Sequence, residues 1–181
     1  MNILFLCTGN SCRSIIAEAL FTSMAPAGVT VQSAGSKPAG VVHPRALAVL
    51  KEAGLSIEGL SSKSLEALSI KPDVVITLCA DAAARLGSAQ IPMALGGAVS
   101  QPGKGAAGAA CPLYFGKVVR SHWGMPDPAK AQGDEAAINA AFTETLVVLR
   151  RRVSALVKQL EAEPGMDAAR LQTVLDDIAS M

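Results

Sequence analysis

A short apolar run, Asn2-Ile3-Leu4-Phe5-Leu6, passes without a linker into Cys7-Thr8-Gly9-Asn10-Ser11-Cys12-Arg13-Ser14 and from there into Ile15-Ile16-Ala17-Glu18-Ala19-Leu20-Phe21, whose apolar residues recur at helical spacing. A strand that turns through small and polar residues straight into a helix commits the chain to an α/β arrangement. The loop at this junction has the composition of an oxyanion trap. Small residues let successive backbone N–H groups converge on one tetrahedral anion, and the helix that follows adds its positive end. Arg13 supplies a planar fork for two oxygens. The same field predicts that Cys7 is held as a thiolate nucleophile near neutral pH, with Ser14 placed to donate to its sulfur.

The rest of the chain repeats the alternation. Val29-Thr30-Val31-Gln32-Ser33 reads as a second strand, followed by a turn over 34–40. Pro44 opens a helix with Ala46, Leu47, Leu50 and Ala53 on one face and Gly54 as its stop. A short helix is expected around Leu65–Leu68, a buried parallel strand over Asp73–Leu78, an alanine-rich helix from Asp81 to about Leu86, and a last strand over Lys117–His122. Asp134 is placed to cap a long helix bearing Ile138, Phe142, Leu146, Leu149, Val153, Leu156 and Leu160. A final amphipathic helix runs from Asp167 to about Ser180, with Leu171, Val174, Leu175 and Ile178 on one face.

Strands alternating with helices imply a parallel sheet whose strands all end on one edge, where ligands bind in open α/β folds. Cys7 and Cys79 each follow a strand directly, so both are predicted to face one pocket. The expected architecture is a three-layer α/β/α sandwich on a four-stranded parallel sheet, plus an extra C-terminal helix. Residues 1–163 form the domain, with a glycine-rich flexible insertion at about 87–110, and 164–181 form a helical extension.

With 181 residues, half of them hydrophobic, there is interior enough for one core without staples. Sixteen basic against fifteen acidic residues leave no electrostatic footprint for nucleic acid or an anionic membrane. The apolar run after Met1 lacks a basic leader, and no stretch is long and apolar enough to span a bilayer, so a cytoplasmic protein is expected. Four cysteines without a C-x-x-C pair suggest neither zinc nor, in a reducing compartment, structural disulfides; no metal site is expected.

Asp127, in a turn between two prolines, is either a turn former or a general acid that protonates a leaving oxygen. Cys79 is either an inert core thiol or a nucleophile. Cys111 ends the glycine-rich loop, where an exposed thiol is a liability unless it is used, which suggests a relay ending in an exchangeable disulfide. Cys12 contributes chiefly its backbone to the loop; a Cys7–Cys12 disulfide is an allowed, not a required, oxidised form. His122 reads as a strand end, His43 as a helix entry and Trp123 as packing. Asn10, Glu18 and Ser33 are candidates for supporting the loop from behind.

Taken together, these residues resemble the thioredoxin-coupled arsenate reductase family, which shares its fold with low-molecular-weight protein tyrosine phosphatases. The resemblance runs from Met1 to about Leu160 and rests on Cys7 through Ser14, Ala17-Glu18, Ser33-Ala34-Gly35, Val75 through Cys79, and His122-Trp123-Gly124 with Asp127-Pro128-Ala129. It implies that Cys7 attacks arsenate while Arg13 and the loop residues Thr8, Gly9, Asn10, Ser11, Cys12 and Ser14 hold its oxygens and Asp127 assists departure of a hydroxyl. Cys79 then attacks Cys7, releasing arsenite, and Cys111 attacks Cys79. The resulting Cys79–Cys111 disulfide is reduced by an external thiol, thioredoxin by the resemblance, with no bound cofactor and with phosphate or sulfate as competing oxyanions.

Three features depart from the family pattern. The glycine-rich insertion separates Cys79 from Cys111, although lengthening a flexible loop costs only about 0.6 kcal/mol per doubling. Relatives that bind potassium behind the loop carry an aspartate in the segment that reads Ser62-Lys63 here; the Lys63 ammonium is expected in place of the ion, pairing with Glu18 and orienting Asn10. The helix from Asp167 lies beyond the resemblance and either packs on the domain or pairs with a second subunit. A tyrosine phosphatase using Cys7, Arg13 and Asp127 is the enzyme alternative. Ile15 and Ala129 stand against it, where that branch usually carries proline and tyrosine. A non-catalytic oxyanion-binding or redox-sensing module is the other.

Overall fold

The computed structural model describes residues 1–79 and 118–181. Its frame is a four-stranded, all-parallel sheet in the order β2-β1-β3-β4, with β1 at Asn2–Cys7, β2 at Thr30–Gly35, β3 at Val74–Thr77 and β4 at Val119–His122. β3 is buried at all four positions, as a short β-branched run in a parallel sheet must be when both faces are covered.

Side chains alternate across β1 and β3, so each strand feeds two cores. Ile3, Phe5, Val74 and Ile76 join the larger one, built with helices α1 (Arg13–Met24), α2 (Pro44–Glu52), α3 (Glu135–Ala162) and α4 (Ala168–Ala179). Leu4, Leu6 and Val75 point the other way into a smaller cluster with Cys7, Ala34 and Cys79, against which Leu65, Leu68 and Val118 pack. The alanine-rich helix expected at 81–86, the glycine-rich insertion and Cys111 all lie outside the described residues.

The helix ends follow local chemistry. His43 is the N-cap of α2, its Nδ1 accepting the Arg45 N–H at 3.2 Å, and Pro44 occupies the first helical position. Gly54, at φ +72°, closes α2: its N–H bonds Lys51 O and the Leu55 N–H bonds Leu50 O, the paired bonds of a left-handed C-terminal cap. Asp134 caps α3 through the Ala137 N–H and Asp167 caps α4 through the Arg170 N–H, each at 2.8 Å.

Three expectations need correction and a fourth is extended. The second strand runs to Gly35, so Ala34 and Gly35 belong to the sheet rather than to a turn; Gly35 pairs with Cys7, and its N–H bonds Lys63 O at 2.9 Å. The helix around Leu65–Leu68 is a single 3-10 turn, Leu65–Ala67. In α2 the buried positions are Ala46, Val49 and Leu50, whereas Leu47 is half-buried and Ala53 is the C-cap. Trp123 does more than pack: fully buried against Phe5, it also donates its Nε1–H to Leu175 O in α4 at 3.4 Å.

That last contact settles where the C-terminal helix goes. α4 packs on β4 and α3, burying Leu171, Val174, Leu175 and Ile178, the face its spacing predicts. Ser121 Oγ donates to Leu175 O, Gln172 Nε2 to Arg120 O and Arg152 to Ala179 O. No helix among the described residues is long and apolar enough to cross a membrane.

Candidate active site

Register brings the site together. Cys7 pairs with Gly35, Leu6 with Thr77 and Thr77 with His122, so the ends of all four strands share one edge. Leu78 N–H adds a bond to Leu6 O at 3.0 Å and Trp123 N–H one to Thr77 O at 2.8 Å, extending that alignment to Cys79 and to the turn carrying Asp127. A cavity of about 470 Å³ opens there, lined by Cys7, Thr8, Gly9, Ser11, Cys12, Arg13, Cys79, Met125, Asp127 and Lys130.

The loop is shaped from outside. Ser36, Lys37, Ala39 and His43 donate their N–H groups to the carbonyls of Cys7, Thr8, Gly9 and Ser11 at 2.8–3.1 Å, and Ser62 Oγ also donates to Gly9 O. In a planar trans peptide the N–H points opposite to the C=O. Turning these four carbonyls outward therefore turns the N–H groups of Thr8, Gly9, Asn10 and Cys12 inward. The Asn10 N–H ends 3.0 Å from Cys7 Sγ, as that requires. Gly35 is part of the same construction: a Cβ there would lie 2.7 Å from Thr8 O and 3.0 Å from Asn10 Cβ.

Behind the loop is a directed chain of hydrogen bonds. Asn10, fully buried at φ +46°, donates from Nδ2 to Ser14 Oγ at 2.9 Å and to Ser33 Oγ at 2.8 Å, while its Oδ1 accepts the Lys63 backbone N–H at 2.7 Å. Both hydroxyls thus accept from the amide nitrogen, which can only donate, leaving their own protons for other acceptors. Ser14 Oγ lies 2.9 Å from Cys7 Sγ, its proton free for that sulfur, and Ser33 donates to Glu18 Oε2 at 2.5 Å. The Lys63 ammonium sits 3.3 Å from both carboxylate oxygens of Glu18.

Arg13, 9% exposed, pairs with Asp127 Oδ2 at 2.9 Å and donates from its other terminal nitrogen to Met125 O at 3.0 Å and Leu78 O at 3.4 Å. Asp127 also caps the short 3-10 turn Pro128–Lys130, its Oδ1 accepting the Ala129 N–H at 3.2 Å. On the opposite wall Thr8 Oγ1 lies 3.3 Å from Cys79 Sγ. His122 ends β4 with its Nδ1 2.8 Å from Thr77 Oγ1.

The expected thiolate is not the resting form. Burial pushes the Cys7 thiol above its ordinary value of 9.0, with Cys79 adding to the rise, against opposing pulls from Ser14, the Asn10 N–H and Arg13. Cys12, buried within the loop, is pushed up from 9.0 to about 11, again mainly by burial.

The structure thus brings together Cys7, the loop residues, Arg13, Asp127 and Cys79, with Glu18, Ser33 and Lys63 behind them. Reading the loop in isolation missed two things. Segment 36–43 orients the loop, although nothing in its own composition marks it. Met125 and Lys130 line the cavity, and for Lys130 a signal existed: a cation three residues after Asp127 in a proline-fixed turn.

A parallel sheet delivering a cysteine, an inward-turned N–H loop and an arginine to the start of a helix, with an aspartate turn facing them, defines the phosphatase-like oxyanion enzymes. The chain belongs to the low molecular weight phosphotyrosine protein phosphatase family, whose family model matches residues 2–165. Within that family it is similar to a protein named arsenate reductase from Shouchella clausii, 36% identical over 164 residues that cover 90% of this chain and 96% of the relative. Among solved structures it resembles a thioredoxin-dependent arsenate reductase of Corynebacterium glutamicum, with a TM-score of 0.55 and 25% identity over 89% of this chain and 62% of that one. It shares its fold with the tyrosine phosphatase Wzb from Escherichia coli K30 in complex with sulphate, with a TM-score of 0.61 and 21% identity over 88% of this chain and 97% of the other.

Proposed function

We propose that this protein is an arsenate reductase working through a thiol relay from Cys7 to Cys79 to Cys111, regenerated by thioredoxin. The observation that carries this reading is Cys79 on the wall of the anion cavity, tied by Thr8 to the loop that holds Cys7. Hydrolysis has no use for a second thiol there. The relatives named arsenate reductase support the same choice.

In this account the inward N–H groups and Arg13 bind arsenate, and Cys7 Sγ bonds to arsenic as one As–OH bond breaks. The thiol proton leaves with that hydroxyl as water, with Asp127 beside Arg13 as the carrier, so the reaction does not require Cys7 to rest as a thiolate. Cys79 Sγ then attacks Cys7 Sγ. The S–As electron pair stays on arsenic, which departs as arsenite, two electrons richer, while two thiols have become one disulfide. Cys111 attacks Cys79, freeing Cys7, and a dithiol reduces the Cys79–Cys111 bridge. Glu18, Ser33 and Lys63 serve this chemistry by fixing Asn10 and hence Ser14.

Phosphatase activity is the second reading, favoured by the family and by the loop chemistry common to both reactions. A single-turnover experiment separates them. Fully reduced protein mixed with arsenate and no reductant yields one arsenite per chain and loses two hydrogens, located by peptide mass spectrometry between Cys79 and Cys111. Absence of arsenite, with phosphate released from phosphotyrosine, assigns the chain to the phosphatases.

A further inference from the structure

The charge of the cavity points to a residue that the relay does not use. Among the described residues, its charged lining groups are Arg13, Asp127 and Lys130. Arg13 and Asp127 lie 2.9 Å apart and cancel, and burial keeps Cys7 and Cys12 protonated at neutral pH. What remains is one positive charge, that of Lys130, which makes no ion pair among the described residues. An arsenate or phosphate dianion entering this space meets a buried, already neutralised guanidinium and an exposed, unneutralised ammonium. The ammonium dominates the field at the entrance.

Lys130 is held where this matters. Its backbone N–H bonds Asp127 O at 3.0 Å, and the turn between them is fixed by Pro128 and by the Asp127 Oδ1 cap on Ala129. The cap uses one carboxylate oxygen and Arg13 the other, so Arg13 can rotate toward an anion without dissolving the turn that presents Lys130.

We propose that Lys130 is the capture residue of this site: it recruits a small inorganic oxyanion dianion to the cavity and balances the negative charge that Arg13, shared with Asp127, leaves unneutralised. The proposal deepens the reading of the cavity as an oxyanion site and does not depend on whether the bound anion is reduced or hydrolysed.

The test is calorimetric titration of inorganic phosphate into the full-length protein, its Lys130→Met and Lys130→Arg variants and, as a control away from the cavity, Lys51→Met, at low and high ionic strength. Lys130→Met is expected to bind about tenfold more weakly at low salt, the scale of one lost charge-assisted contact, with the gap narrowing as salt rises. Lys130→Arg is expected to retain most of the affinity and Lys51→Met all of it. Where steady-state turnover is measured, KM rises in Lys130→Met while kcat stays within about twofold. Equal affinity in parent and Lys130→Met overturns the proposal, as does an equal loss in Lys130→Met and Lys51→Met. Because phosphate binding needs no turnover, failure of the parent to form arsenite overturns the reductase reading and leaves this result standing.

Discussion

Arg13 and Asp127 face each other across the cavity at 2.9 Å, the guanidinium almost buried and the carboxylate a quarter exposed. The aspartate is thus both the proposed proton carrier and a competitor for the cation that must bind the substrate. Asp127→Asn keeps an acceptor for the turn cap and removes the charge. The expected outcome is phosphate or sulfate binding tighter by about fivefold, the scale of a partly exposed ion pair, with turnover reduced at least tenfold. Isothermal titration and steady-state rates on the same preparation check both halves.

Raised protonation of Cys7 has a direct kinetic signature. Its alkylation by iodoacetamide is expected to be slow at neutral pH and to accelerate with a midpoint above 9.0, because burial holds the proton on sulfur. Ser14→Ala removes the strongest opposing hydrogen bond, so the midpoint moves further up and the rate at neutral pH falls several-fold. An alkylation midpoint near neutrality in the parent contradicts the electrostatics described for the loop.

Cys12 links pH to stability. Its folded value, about 11, lies above its ordinary 9.0, so the folded state holds the proton more tightly than the unfolded chain. The stabilisation is complete below pH 9 and is lost as pH rises through 9 toward 11. Cys12→Ala removes this contribution, and its denaturation midpoint is expected to fall less steeply than that of the parent over that range. Chemical denaturation at a series of alkaline pH values measures the difference.

The Lys63 ammonium sits against Glu18 behind the loop, where the resemblance leads us to expect it in place of a potassium ion. Turnover is therefore expected to be the same in sodium and in potassium, and a large rate increase on exchanging sodium for potassium contradicts the role of Lys63. Lys63→Met leaves Glu18, only 8% exposed, with the Ser33 hydrogen bond but without its cationic partner, at a cost on the order of 3 kcal/mol. Adding Glu18→Gln to that variant is expected to recover most of the loss in a denaturation measurement.

Much of this was legible in the sequence because local rules and tertiary structure agree. Pro44, Gly54, Asp134 and Asp167 act at the helix ends their chemistry predicts, and the apolar face from Leu171 to Ile178 is buried as its spacing requires. What was not legible depends on contacts distant in sequence. The strand-like role of Gly35 comes from its approach to Thr8 and Asn10, and the resting proton of Cys7 comes from burial beneath residues that a linear reading does not place. The open choice for the C-terminal helix, packing or pairing, is decided by the Leu175 carbonyl, which collects the Ser121 and Trp123 donors. Lys63 was read as an ammonium; the structure adds that its backbone N–H holds Asn10.

The central claim is that one cavity binds an oxyanion and that the thiol on its wall turns binding into reduction. The most direct measurement is arsenite formation coupled to NADPH oxidation by thioredoxin and thioredoxin reductase, in the parent, Cys79→Ser and Cys111→Ser. The account predicts one arsenite per NADPH in the parent and loss of turnover in both variants, with phosphate affinity unchanged. Sustained turnover in Cys79→Ser, or none in the parent, contradicts it.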